Sequence, residues 1–291
     1  MITVLLNGGL GNQLFQYATG RALAEKHGVE LILDLSRLKH PKPGDTPRRF
    51  ELAPFNIKAS LLAEEVRQPL GNYQAFVHRL LLKTGIPLLG SITLKEQSCG
   101  FDPLLFKAPS NCILDGFWQS ERYFKQITSF LQQELSLKAP SAALRKSSSI
   151  LSGSTVAVHV RRGDYVTNPS AASFHGTCSQ EYYRAAVAVI QQRYADSQFL
   201  VFSDDPAWCR DYLDLGQPFR LAADLGLSDS AEELVLISCC AHQIIANSSF
   251  SWWGAWLNPS PRKLVIAPCR WFTDPAVATG DLVPETWVRL S

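Results

Sequence analysis

The stretch Ile2-Thr3-Val4-Leu5-Leu6-Asn7-Gly8-Gly9-Leu10-Gly11-Asn12-Gln13 decides the fold class. Four of its first five residues are apolar and the other, Thr3, is β-branched, the pattern of a strand buried on both faces. A glycine turn follows, then helical spacing from about Gln13 to His27, which Gly28 ends, and a second short strand from Glu30 to Asp34. Strand, glycine turn, helix and strand make a β-α-β unit, which joins parallel strands and opens a doubly wound α/β domain.

Outward from this unit the chain is less regular. Ser36 to Arg49 is rich in Pro, Lys and Arg, and Leu61 to Leu89 mixes helical spacing with Pro and Gly breaks, which predicts a helical insertion. Ile113 to Trp118 reads as a strand end, and Ser120-Glu121 opens a helical pattern that runs to about Leu135. Lys138 to Ser154, rich in Ser, Ala, Pro and Lys, reads as the crossover between halves. The rhythm then restarts with strands at Thr155–Val160, Gln198–Phe202, Gln243–Ala246 and Leu264–Ala267. Helices are expected at Ser179–Tyr194, from Pro206, and at Ala231–Cys240. Two α/β halves are therefore expected, residues 1–140 and 141–291, and the 291-residue length suits two domains better than one.

Bulk composition excludes several classes. With 28 Lys plus Arg against 26 Asp plus Glu, the net charge of +2 gives no reason to expect nucleic acid as a partner, so any anion must be held by local geometry. The seven cysteines (Cys99, Cys112, Cys178, Cys209, Cys239, Cys240, Cys269) are scattered and form no Cys-x-x-Cys, which argues against a disulfide framework and a zinc site. Met1-Ile2-Thr3-Val4 runs straight into the glycine turn without signal-peptide features, and no apolar run approaches the ~18 residues of a spanning helix. A cytoplasmic protein is expected, with peripheral contact at the inner face of the membrane left open.

Chemistry concentrates at four strand ends, where open α/β sheets bind ligands. Val158-His159-Val160-Arg161-Arg162-Gly163-Asp164-Tyr165 puts a His, two Arg and an Asp beyond a very apolar strand. Arginine forks suit a diphosphate, being permanently charged and able to give two parallel hydrogen bonds. Adjacent strand residues point to opposite faces, so at most one of the pair is expected to reach phosphate. The competing reading is an ion pair with Asp164 and a solvated second arginine.

The glycine turn at Gly8-Gly9-Leu10-Gly11 is either an anion nest or a packing turn. It lacks the third glycine of the dinucleotide fingerprint and the Gly-Lys-Ser/Thr of a P-loop. Phe199-Leu200-Val201-Phe202-Ser203-Asp204-Asp205-Pro206 ends a strand in carboxylates that either cap the next helix or accept from the guanine edge. Asn247-Ser248-Ser249-Phe250-Ser251-Trp252-Trp253-Gly254-Ala255-Trp256 places hydroxyls at a helix start, where a pyrophosphate is well received. Its three tryptophans read as core packing ahead of a ligand platform.

Taken together these four segments resemble glycosyltransferase family 11, the α-1,2-fucosyltransferases that use GDP-fucose. His159-Val160-Arg161-Arg162-Gly163-Asp164 resembles the His-x-Arg-Arg-x-Asp motif of α-1,2-, α-1,6- and protein O-fucosyltransferases. The resemblance implies two Rossmann-like parallel-sheet domains facing a cleft, GT-B-like, with residues 1–140 on the acceptor side and 141–291 on the donor side. It implies inverting transfer of L-fucose from GDP-β-L-fucose to the 2-hydroxyl of a terminal galactose.

By the same likeness Arg161 or Arg162 stabilises the leaving GDP, His159 contacts the nucleotide and Asp164 orients the arginines. Asp204, ahead of Asp205, reads guanine beside Ser203. Asn247, Ser249, Phe250 and Ser251 line the donor phosphates, and Gly9, Gly11, Asn12 and Gln13 face the cleft. No metal or other cofactor is expected, since the arginines replace a divalent cation and no Asp-x-Asp motif is present. Asp164 and His175 are the candidate general bases. The alternatives are another GDP-sugar transferase or linkage, and a non-catalytic nucleotide or glycan module that uses the tryptophans as a stacking platform.

Overall fold

The computed structural model describes residues 1–41, 46–62, 77, 80, 92–163, 166, 168–277 and 279–291. The expected helical insertion between Leu61 and Leu89 falls almost wholly outside the described residues. The chain forms two compact units, Met1–Ser136 with the stretch 279–282, and Leu137–Val277 with Val283–Ser291.

In the first unit β1 (Ile2–Leu5), β2 (Leu31–Asp34), β3 (Ser60–Leu61), β4 (Ile92–Lys95) and β5 (Cys112–Asp115) form an all-parallel sheet in the order β3-β2-β1-β5-β4. Helix α1 (Leu10–His27) begins three residues earlier than the spacing suggested, because extended Gly9 serves as its N-cap and Gly11 already lies inside it. Its inner face buries Leu14, Phe15, Tyr17 and Ala18.

A short helix α2 (Ser36–Lys39) follows β2. The single helix expected from Ser120 breaks into 3-10 turns at Glu121–Tyr123 and Lys125–Ile127 before α3 (Thr128–Glu134). Burial of Tyr123, Phe124, Ile127 and Leu131 overrides the local helical spacing there. The stretch 279–282 returns to this unit, where the Asp281 carboxylate accepts from Phe101 N at 3.1 Å and Arg122 Nη1 at 2.5 Å.

The second unit holds β6 (Thr155–Val160), β7 (Gln198–Ser203), β8 (Phe219–Leu221), β9 (His242–Ile244), β10 (Val265–Pro268) and β11 (Val288–Leu290), all parallel in the order β11-β10-β9-β6-β7-β8. The expected crossover instead carries helix α4 (Ala142–Ser149), capped by Ser141. Buried Glu232 ties this cap to the second unit by accepting from Ser141 N at 2.6 Å and Ser141 Oγ at 2.8 Å. The stretch is therefore packed structure and not a bare linker.

Further helices are α5 (Pro169–His175), α6 (Gln180–Arg193), α7 (Pro206–Tyr212), α8 (Ser230–Cys239) and α9 (Ser249–Leu257). Strand β6 is buried along its whole length and splits its side chains between two cores. Val156, Val158 and Val160 pack with Tyr182, Tyr183 and Ile190 of α6, whereas Ala157 packs with Leu200, Phe202, Leu236 and Ile237. Trp252 and Trp253 are fully buried and Trp256 is 8% exposed, so the tryptophans are core and form no stacking platform. The seven cysteines are free thiols. Among the described residues no helix is long and apolar enough to cross a membrane.

Candidate functional site

Adjacent strands β9, β6 and β7 bring three of the four motifs to one edge of the second sheet. The alternation of β6 persists just beyond its end and separates the two arginines. His159 lies on the same face as the α8 and α9 side, its ring 5.5 Å from that of Phe250, and it feels the Arg161 charge. Arg162 turns the other way, with its guanidinium carbon 3.8 Å from the Trp208 ring, whose indole packs against the core of Val158 and Val160.

Both arginines are held by the β7 turn. Arg161 Nη1 lies 2.9 Å from Asp204 Oδ2, while Asp204 Oδ1 accepts from Arg162 N at 2.8 Å. Arg162 Nε lies 3.4 Å from Asp205 Oδ2, and the other Asp205 oxygen caps α7 by accepting from Trp208 N at 3.1 Å. Ser203 Oγ accepts from Asp205 N at 3.0 Å and shapes the turn. Both arginines are thus engaged by β7-turn carboxylates, and the second is not left to solvent as the competing reading expected. Asp164 lies outside the described residues. Gly163 is required by close approach, since a Cβ there would sit 2.1 Å from Asp204 Oδ2.

His159 is 4% exposed, and its Nδ1 has no hydrogen-bond partner among the described residues. Burial, with the neighbouring Arg161 charge, pushes the imidazole down to about 3, so the ring is neutral at neutral pH. A neutral imidazole carries no charge and offers one hydrogen-bond donor and one acceptor.

The β9 turn is more structural than the sequence suggested. Asn247 is 2% exposed, and its Nδ2 points at the carbonyls of His175, Gly176 and Trp271 at 2.9, 3.3 and 3.1 Å. Its side-chain amide is committed to scaffolding, which corrects the expected donor contact. Ser251 is fully buried with Oγ donating to Ser248 O at 3.3 Å, so it too points inward. Ser249 and Phe250 remain half-buried in the first turn of α9, where backbone N–H groups point out beyond the helix start. His175 is brought close through its carbonyl, while its ring packs with Phe174 at 4.9 Å and Phe272 at 5.5 Å.

The fourth motif sits in the first unit. Gln13 is fully buried, with Nε2 donating to Gly8 O and Arg49 O at 2.9 and 2.8 Å, and Oε1 accepting from Glu51 N at 2.9 Å. It ties the 49–51 segment to the glycine turn, and both of its amide N–H donors are spent on that scaffolding. Asn12 is half-buried and accepts from Gln119 Nε2 at 2.8 Å. Gly9 caps α1, and Gly11 is buried within it.

Two residues escaped the sequence reading. Trp208, the stacking partner of Arg162, lies inside a short helix whose one visible signal was Pro206. Glu233 on α8 is held above the usual carboxylate range by burial and by Asp204 and Asp229, and its position next to a helix start reads from sequence as capping. Among the described residues no group of three His, Cys, Asp or Glu is arranged to hold a metal ion.

Residues 1–291 match the family described as Glycosyl transferase family 11. An α-1,2-colitosyltransferase of Escherichia coli is 33% identical, covering 100% of this chain and 99% of its own. The O-antigen biosynthesis glycosyltransferase WbnK of Escherichia coli is 30% identical, covering 98% and 99%. The galactoside 2-α-L-fucosyltransferase Sec1 of Mus musculus is 27% identical, covering 89% of this chain and 64% of its own. The chain belongs to glycosyltransferase family 11.

Proposed function

We propose that this glycosyltransferase moves L-fucose from GDP-β-L-fucose to the 2-hydroxyl of a terminal galactose, with inversion at the anomeric carbon. The observation that carries the proposal is the Arg161–Asp204 pair at 2.9 Å, on the same face as neutral His159 and the start of α9. Parting a sugar of oxocarbenium character from a diphosphate builds negative charge on the leaving group. A fixed guanidinium and helix N–H groups aimed there stabilise that charge without reorganising, and one such donor contributes ~3 to 4 kcal/mol.

Asp204 and Asp205 are engaged by arginines, so the strand-end carboxylates are poorly disposed to gather a divalent cation. Arg161 is the arginine assigned to the β-phosphate. Arg162, stacked on Trp208, shapes the neighbouring nucleotide side.

A second reading concerns the donor sugar. The relative at 33% identity carries a colitosyl name with the same α-1,2 linkage, so a GDP-linked colitosyl donor is the specific competitor. Purified protein is incubated with each GDP-sugar and a panel of galactose-terminated oligosaccharides, with and without chelator, and the product linkage is determined. Transfer from GDP-fucose in α-1,2 linkage, undiminished by chelator, is expected. Transfer from the colitosyl donor alone, another linkage, or binding without turnover would overturn the fucosyl reading, and complete loss with chelator would overturn metal independence.

A further inference from the structure

The carboxyl end of β5 in the first unit carries a turn that the donor chemistry does not use. Gly116-Phe117-Trp118-Gln119 leaves the strand and is pinned at several points. Glu96, just beyond β4, accepts from Phe117 N at 2.7 Å through Oε2 and from Trp118 N at 2.9 Å through Oε1. Gln16 Nε2 donates to Gly116 O at 3.1 Å, and Gln119 Nε2 donates to Asn12 Oδ1 at 2.8 Å. Trp118 adopts φ 56°, the left-handed region that bulky residues avoid, while its ring is 1% exposed and packs edge-on against Tyr123 at 5.8 Å.

A turn so constrained serves to aim something, and what it leaves outside is the Phe117 ring, 37% exposed at the ligand-binding end of a parallel sheet. Backbone strain of this kind persists only where surrounding contacts over-determine it, and the Glu96 carboxylate supplies two charge-assisted hydrogen bonds for that purpose. The ionic groups nearby are already committed: the Asp115 carboxylate is gripped by Arg37, whose Nη2 lies 2.7 Å from Oδ2. What this strand end offers a ligand is an exposed apolar ring, two residues before half-buried Gln119, whose amide is paired with half-buried Asn12. That is the chemistry of a neutral polyhydroxylated ring, whose C–H face stacks on an aromatic and whose hydroxyls pair with amides.

We propose that Phe117 is the platform on which the acceptor sugar stacks, and that Glu96 is the positioning residue that holds the Phe117–Trp118 turn in place. The identity of the ligand as a galactoside rests on the transferase reading above.

The test uses the full chain with donor and acceptor varied independently. Phe117→Ala is expected to raise the acceptor KM by about five- to tenfold, the loss of one stacking contact, with donor KM and GDP affinity unmoved. Phe117→Trp retains the wild-type acceptor KM. Glu96→Gln, which sets an amide N–H against a backbone N–H, raises the acceptor KM by a smaller factor and also leaves donor KM unmoved. An unchanged acceptor KM in Phe117→Ala, or equal rises in both KM values, would overturn the proposal.

Saturation-transfer NMR with a β-galactoside separates this inference from the transferase reading. Contact with the sugar ring protons in the wild type that is lost in Phe117→Ala supports the platform even if neither GDP-sugar is turned over. Absence of any galactoside contact in the wild type removes the platform even if transfer to another acceptor is found.

Discussion

In the second unit the strand ends of β6 and β7 lead into two arginines and two aspartates that grip one another, beside a helix start. In the first unit the strand ends of β1, β4 and β5 lead into amides, an exposed phenylalanine and carboxylates tied to backbone N–H groups or to Arg37. Both sheets are parallel with a buried central strand, so the scaffold is the same. The difference lies in what each turn does with its charge. Asp204 holds a guanidinium in a fixed orientation, which suits a phosphate group. Glu96 spends its charge on the backbone of the turn that presents Phe117.

The largest test of that contrast is at the arginines. Arg161→Ala is expected to lower kcat/KM by ~100-fold or more, because it removes a preorganised donor at the leaving group. Arg162→Ala is expected to cost about tenfold, mainly in donor KM, because it removes stacking on Trp208. Steady-state kinetics on both variants check this, and equal losses would mean that the two-face division of the pair is irrelevant to catalysis.

Gln13→Ala, in the first unit, should act on folding. The side chain is fully buried and makes three part-buried hydrogen bonds, and leaving their partners unsatisfied is expected to lower unfolding stability by about 2 kcal/mol in urea titrations, while GDP affinity of the folded fraction stays constant.

A third test uses pH. The folded His159 pKa of about 3 lies below the ordinary histidine value of 6.5, so the neutral form is the native one. Its contribution to stability is full above pH 6.5 and is lost as pH falls from there toward 3, about 2 kcal/mol being lost by pH 5. Buried His242, also shifted downward by burial, acts in the same direction. Urea midpoints at pH 7 and pH 5 measure the slope, and His159→Gln is expected to flatten it. The smallest effects belong to Phe117→Ala and, below it, Glu96→Gln, and their confinement to the acceptor KM is what would sharpen the comparison most.

Legibility from sequence tracked how local the cause was. The β6 bounds, the end of α1 at His27 and the start of α7 at Pro206 follow from apolar runs, Gly28 and a proline, and each matched. Strands β8 and β11, three residues apiece, gave no period to detect, and their pairing depends on neighbours far along the chain. The 120–135 region failed for a related reason: aromatic burial, a tertiary demand, breaks the helix that local spacing favours.

Sequence alone therefore determined the class of fold and the strand ends at which the polar motifs stand, because runs, breakers and motifs are properties of neighbouring residues. It could name Arg161, Arg162, Asn247, Ser251 and Gln13 as polar groups at strand ends, but not which way each side chain points. Only the tertiary structure decided that Arg161 pairs with Asp204, that Arg162 lies on Trp208, and that Asn247, Ser251 and Gln13 hydrogen-bond to the scaffold. The physical reason is that a polar side chain hydrogen-bonds whatever packing brings within ~3 Å, and those partners come from distant segments of the chain.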